Sequence, residues 1–209
     1  MTKDISKSSR HKQERFRGRR RFEHWYVDNQ VYFITARVRD QKNAFATDES
    51  KVVFRERFEH YAADAGFEPW VSSVLNNHYH TLGYLETGQN LKTMMQRLHG
   101  SVAKLVNDIL ENEPCASRFS GMRAGNRLAR FWRQTKGKEY FDGCIRDVKQ
   151  LRLAYRYTLT QSVRHGLCAD WREYAHTWTA VSVEEAVRIS LERDALMEKV
   201  HYPRYERDR

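Results

Sequence analysis

A chain of 209 residues has room for one sizeable core and a terminal extension, which excludes two large independent domains. Wholesale disorder is excluded as well: 40% of the residues are hydrophobic, and the five Trp, eleven Tyr and ten Phe need a core to enter. The 37 Lys and Arg outnumber the 27 Asp and Glu and leave a formal charge of +10, which points to polyanionic partners.

No stretch resembles the run of about eighteen or more uncharged apolar residues that spans a bilayer, and the N-terminus is polar, so the expectation is a cytoplasmic protein without a membrane partner. Cys115, Cys144 and Cys168 are an odd number at wide spacing, which predicts free thiols instead of a disulfide framework or a zinc site.

In chain order, residues 1–24 read as a basic arm, in which Arg15, Arg17, Arg19, Arg20 and Arg21 can lie along phosphates. Residues 31–38 (VYFITARV) are β-branched and aromatic and predict a central strand. Asp48 can cap a helix whose apolar positions Val52, Val53, Phe54, Phe58, Tyr61, Ala62 and Ala65 keep helical spacing up to a stop at Gly66. Residues 67–85 predict one or two strands, and Asn90 then caps a helix running through Ile109. A Gly- and Arg-rich loop follows and leads to a short strand around Phe131. It belongs to a second basic segment, whose Arg123, Arg127, Arg130, Arg133, Lys136 and Lys138 alternate with Phe119, Phe131 and Trp132. Rings between cations suit unstacked bases and their backbone, so these six cations and Trp132 are candidate DNA contacts. Residues 145–163 predict a third helix stopped by Gly166, and Ser182 with Glu185 opens a last one as a capping box. This order predicts an α+β fold, one antiparallel sheet with helices on one face.

The chemistry concentrates in Leu75-Asn76-Asn77-His78-Tyr79-His80-Thr81-Leu82. On a strand, residues two apart share a face, so His78 and His80 can offer two imidazoles to one cation. In the third helix Tyr157 and Gln161 lie one turn apart, whereas Tyr155 sits about 200° round from Tyr157. Tyr155 therefore reads as core and Tyr157 as exposed toward a site.

His78-Tyr79-His80 resembles the His-hydrophobe-His motif of HUH endonucleases, and Tyr157 with Gln161 resembles the single-tyrosine helix of the Y1 transposases. Residues 131–147 (FWRQTKGKEYFDGCIRD), residues 157–167 (YTLTQSVRHGL) and the tail His176-Thr177-Trp178-Thr179 are similar to the subgroup of REP-associated tyrosine transposases. The resemblance spans roughly residues 15 to 180. The subgroup has Pro-Asn where this chain has Asn76-Asn77, and Asn-Pro where it has Gln161-Ser162, while the stretch from Trp132 to Tyr140 is a few residues longer here.

The resemblance implies a ferredoxin-like catalytic domain over residues 25–180 with a C-terminal helical extension over 181–209. It implies a divalent metal, Mg2+ or Mn2+, held by His78, His80 and Gln161, and Tyr157 as nucleophile. It implies cleavage and rejoining of single-stranded DNA hairpins formed by palindromic repeats, through a 5′-phosphotyrosine, by a monomer or a homodimer. Three other readings stand beside it: a hairpin-binding protein that has lost cleavage, a metal hydrolase that would not need Tyr157, and a purely structural use of the same residues.

Overall fold

The computed structural model describes residues 26–112, 123–124, 127–128, 131–134 and 139–196. Its centre is a five-stranded antiparallel sheet built from β1 (Gln30–Arg37), β2 (Phe67–Val74), β3 (His78–Leu85), β6 (Tyr140–Cys144) and β7 (Thr177–Thr179), in the order β6-β1-β3-β2-β7. Two further short strands, β4 (Arg123–Ala124) and β5 (Arg127–Leu128), pair only with each other. The helices are α1 (Asp48–Ala65), α2 (Gln89–Asn112), α3 (Val148–Leu159), the single turn α4 (Gln161–Arg164) and α5 (Val183–Glu192).

The order β1-α1-β2-β3-α2-β6, with β3 between β1 and β2 and β6 beyond β1, is the ferredoxin-like arrangement. The α+β class expected from the sequence is thus the one observed. The helices, however, do not all lie on one face. Alternation along β1 sends Tyr32, Ile34 and Ala36 into a core with α1 and α2, and sends Val31 and Phe33 to the opposite side, into a second core with α3 and α5. Both faces of the central strands are apolar, so a single helical layer would have left one of them in water.

Caps fix the helix limits. Thr47, one residue before the expected cap, accepts from the Ser50 amide at 3.2 Å, and Gly66 ends α1 in the left-handed conformation at φ 70°. Asp147 caps α3 by accepting from the Gln150 amide at 2.7 Å. The third helix is shorter than residues 145–163: Thr160 breaks it, and the chain restarts as α4 before Gly166 turns at φ 68°. The last helix ends at Glu192, and after it Ala195 and Leu196 are buried in the same core as α3.

At the β2–β3 hairpin a bulge lies between Pro69 and Val71, and Trp70 and Val71 both enter the α3-side core. Gly83 lies opposite Pro69, where a Cβ would come within 2.3 Å of the Glu68 carbonyl oxygen, so the strand accepts only glycine there. Cys144 and Cys168 are free thiols, while Cys115 lies outside the described residues. Among the described residues no helix is long and apolar enough to cross a membrane.

Candidate active site

Alternation along β3 determines where the site lies. Tyr79 and Leu85 face the α1–α2 core, and Leu82 and Tyr84 face α3, so His78 and His80 also point toward the α3 side. Their ring centroids are 5.0 Å apart. Tyr79 turns the other way and bonds the buried His99 through its hydroxyl, at 3.0 Å from Nε2. The motif thus presents two imidazoles on one face and anchors itself by the residue between them.

Both histidines are buried. His78 Nδ1 lies 2.6 Å from Asn77 Oδ1, a contact that requires the proton on Nδ1 and leaves Nε2 as a lone pair. Asn77 in turn donates from its amide to the Gln41 carbonyl at 3.3 Å. Among the described residues neither ring nitrogen of His80 has a hydrogen-bond partner. Burial first, and then the cationic groups around it, pushes His78 down to about 4 and His80 down to about 3, so both are neutral near pH 7. Buried polar atoms left without partners are rare and ask for an explanation, of which a bound ion is one. Two neutral imidazoles with lone pairs available fit a divalent cation, and an amide oxygen from Gln161 would add a third donor. Among the described residues no cluster of three or more His, Cys, Asp and Glu side chains is placed to hold a metal ion.

Tyr157 comes to this pair from α3. Tyr155, on the opposite side of the helix, is 4% exposed in the core and donates to the Val181 carbonyl, whereas Tyr157 is 39% exposed. The Tyr157 ring meets His80 edge-on at 5.2 Å and Phe33 at 6.0 Å, while Phe33 stacks on His80 at 5.7 Å. Gln161 begins α4 just beyond and is buried, with its Nε2 donating to the Tyr157 carbonyl at 2.9 Å. The structure therefore brings the rings of His78, His80 and Tyr157 together, with Gln161 bonded to the backbone of Tyr157.

Two further side chains complete the surroundings. The Arg164 guanidinium lies over the Tyr157 ring at 5.2 Å, and the His165 ring lies 4.9 Å from that of His78. Sequence reasoning stopped at Gln161, although Arg164 and His165 continue the same stripe seven and eight residues after Tyr157, close to two whole helical turns. Arg37 at the end of β1 pairs in register with His78 and so shares its face.

The expected DNA contacts fare unevenly. Trp132 is not a stacking platform: it is buried, its ring stacks on His99 at 4.2 Å, and its indole N–H donates to the His99 carbonyl at 3.0 Å. A bridge between Trp132 and Val38 turns this ring inward beside Phe45 and Phe131 and leaves Arg133 exposed. Arg133, with Arg39, Asp40, Gln41 and Gln134, lines a cleft of about 550 Å3 next to Asn77. Asp40 and Gln41 occupy the left-handed region there, at φ 56° and 55°, a strained backbone for residues with a Cβ. Arg123 and Arg127 are described only as backbone in β4 and β5. Arg15, Arg17, Arg19, Arg20, Arg21, Arg130, Lys136 and Lys138 lie outside the described residues.

Comparison with solved structures places the architecture. A REP-associated tyrosine transposase, solved bound to a REP hairpin, superposes with a TM-score of 0.55 over 85% of this chain and 88% of its own, at 15% sequence identity. The two chains share a fold. A second structure, a "putative transposase" from Deinococcus radiodurans R1, matches at a TM-score of 0.40 and 13% identity over 71% of this chain and 95% of that one. No protein-family profile matches the sequence, and no curated protein matches it.

Proposed function

We propose that the protein is a tyrosine transposase: a metal-dependent endonuclease and strand transferase for single-stranded DNA that forms hairpins. The observation that carries this reading is the half-exposed Tyr157 ring set edge-on at 5.2 Å from His80, whose buried nitrogens lack partners. A phenol, two neutral imidazoles and an amide on one sheet face suit phosphoryl transfer to tyrosine. The transposase whose fold this chain shares, bound to a REP hairpin, supports nucleic acid as the substrate class.

In this mechanism the Tyr157 oxygen attacks the scissile phosphorus and gives its proton to solvent, from which the departing 3′-oxygen takes one up. The O–P bond to tyrosine forms while the bond from phosphorus to the 3′-oxygen breaks, giving a 5′-phosphotyrosine and a free 3′-hydroxyl. Because one phosphodiester replaces another, the step is reversible and the 3′-hydroxyl of another strand can rejoin without ATP. His78, His80 and Gln161 would hold Mg2+ or Mn2+, which supplies charge neutralisation at the phosphate oxygens. His80 stacked against Phe33 fixes the face that Tyr157 meets, and Asn77 fixes the tautomer of His78.

The test is covalent capture. Wild-type protein with labelled single-stranded hairpin DNA and Mn2+ should yield a denaturation-resistant adduct, and Tyr157→Phe should yield none while keeping its hairpin affinity. An adduct that persists in Tyr157→Phe and disappears in Tyr140→Phe would reassign the nucleophile.

A further inference from the structure

We propose that Arg37, Arg164 and His165 form a binding subsite for the phosphodiester that Tyr157 attacks, an assignment that rests on the transposase reading. Three elements converge there. Arg37 ends β1 opposite His78, and Arg164 and His165 close α4, one against the nucleophile ring and the other against the His78 ring. They stand seven and eight residues after Tyr157, close to two whole helical turns on, in the turn that Gln161 opens after Thr160.

The charge balance asks for an anion. One guanidinium, of Arg164, lies over the Tyr157 ring and another, of Arg37, stands in register with His78, and among the described residues none of Arg37, Arg164 and His165 forms an ion pair with a carboxylate. Elsewhere on the surface arginines do pair, as Arg152 does with Glu184 and Arg188 with Glu185 and Glu192. Like charges held together without a counterion repel one another, and a divalent cation between the histidines would add to the repulsion. A phosphodiester brings the missing negative charge, and guanidinium and imidazole N–H groups can donate to its non-bridging oxygens. Arg164 and His165 are exposed and therefore reachable by a strand. Arg164 over the Tyr157 ring and His165 beside His78 would orient the phosphorus toward the Tyr157 oxygen.

The experiment uses the full chain. Once the cleavage position is mapped from the wild-type adduct, single-turnover attachment is followed for Arg164→Gln and His165→Gln, together with hairpin affinity and thermal unfolding. Each variant should attach at least about tenfold more slowly at saturating DNA and Mn2+, with hairpin affinity and melting temperature unchanged, and Arg164→Lys should recover part of the rate. A single methylphosphonate at the scissile position removes the charge that the subsite reads, so it should slow the wild type by a larger factor than it slows either variant. Unchanged rates in both variants, or an equal methylphosphonate penalty in variants and wild type, would overturn the subsite while leaving tyrosine cleavage intact. So would full rescue of His165→Gln by higher Mn2+, which would place His165 on the metal side. No adduct from the wild type would remove the transposase reading and this subsite with it.

Discussion

At the scale of single residues, the site depends on which groups are satisfied and which are left waiting. Asn77 holds His78 Nδ1, and His80 is held by ring contacts alone, so the two histidines should respond differently to change. Asn77→Ala should raise the Mn2+ concentration needed for half-maximal cleavage by roughly 10- to 100-fold, since it frees the His78 tautomer and rotation. A titration of adduct yield against Mn2+ measures this. Protonation gives a second prediction. In the unfolded chain both histidines titrate near 6.5, and in the folded, metal-free protein near 4 and 3, so the unfolded state binds more protons across that interval. Their contribution to stability is therefore full above about pH 6.5 and is lost as pH falls toward 4 and 3. Urea midpoints in EDTA should fall over this window, and a His78→Asn, His80→Asn double variant should fall less steeply. Tyr157 itself was legible in the sequence, because a two-residue offset from the core Tyr155 reverses its side of the helix. Trp132 was not, because its burial depends on a bridge to Val38 some ninety positions away.

Among the elements, α3 matters most, since it carries Tyr157, the proposed nucleophile, over the same sheet face as His78 and His80. Its start depends on one cap, Asp147. Asp147→Ala should destabilise the protein by about 1 kcal/mol, read as a lower urea midpoint, and should loosen the helix start without touching Tyr157. An unchanged midpoint would mean that packing of Leu151 and Tyr155 against α5 alone sets the helix start. The strands and long helices were readable from their period and stop signals, as at Gly66 and Gly166. β6 and β7 were not singled out as strands: Tyr140–Cys144 and Thr177–Thr179 are short, and each becomes a strand only by pairing with a neighbour, β1 for one and β2 for the other. The break at Thr160 likewise follows no Gly or Pro, and a smooth helical stripe hid it.

For the whole molecule, charge and strandedness are the separable variables. A net charge of +10 draws any nucleic acid at low salt, so affinity alone says little about function. Removing residues 1–21 should flatten the salt dependence of binding and weaken hairpin and duplex DNA alike, leaving any hairpin preference in place, because arginines on phosphates position without specifying. Competition titrations near physiological salt, with and without the arm, check this, and loss of the hairpin preference on truncation would give the arm a reading role. The C-terminal helix, expected as part of an extension, shares the core of α3 through Ala186 and Val187, so the sheet's second face is closed by residues from well beyond the tyrosine. What the sequence determined by itself was local: periodicities, caps, the two histidines on one strand face, and the tyrosine opposite a core stripe, all properties of neighbours within about a turn or a pleat. What only the tertiary structure decided was which sheet face each helix covers, that Trp132 is core, and that Arg164 meets Tyr157 while Arg37 and His165 meet His78, none of the three paired with a carboxylate among the described residues. Those outcomes depend on burial of two apolar sheet faces and on contacts between distant segments, and no local pattern encodes either.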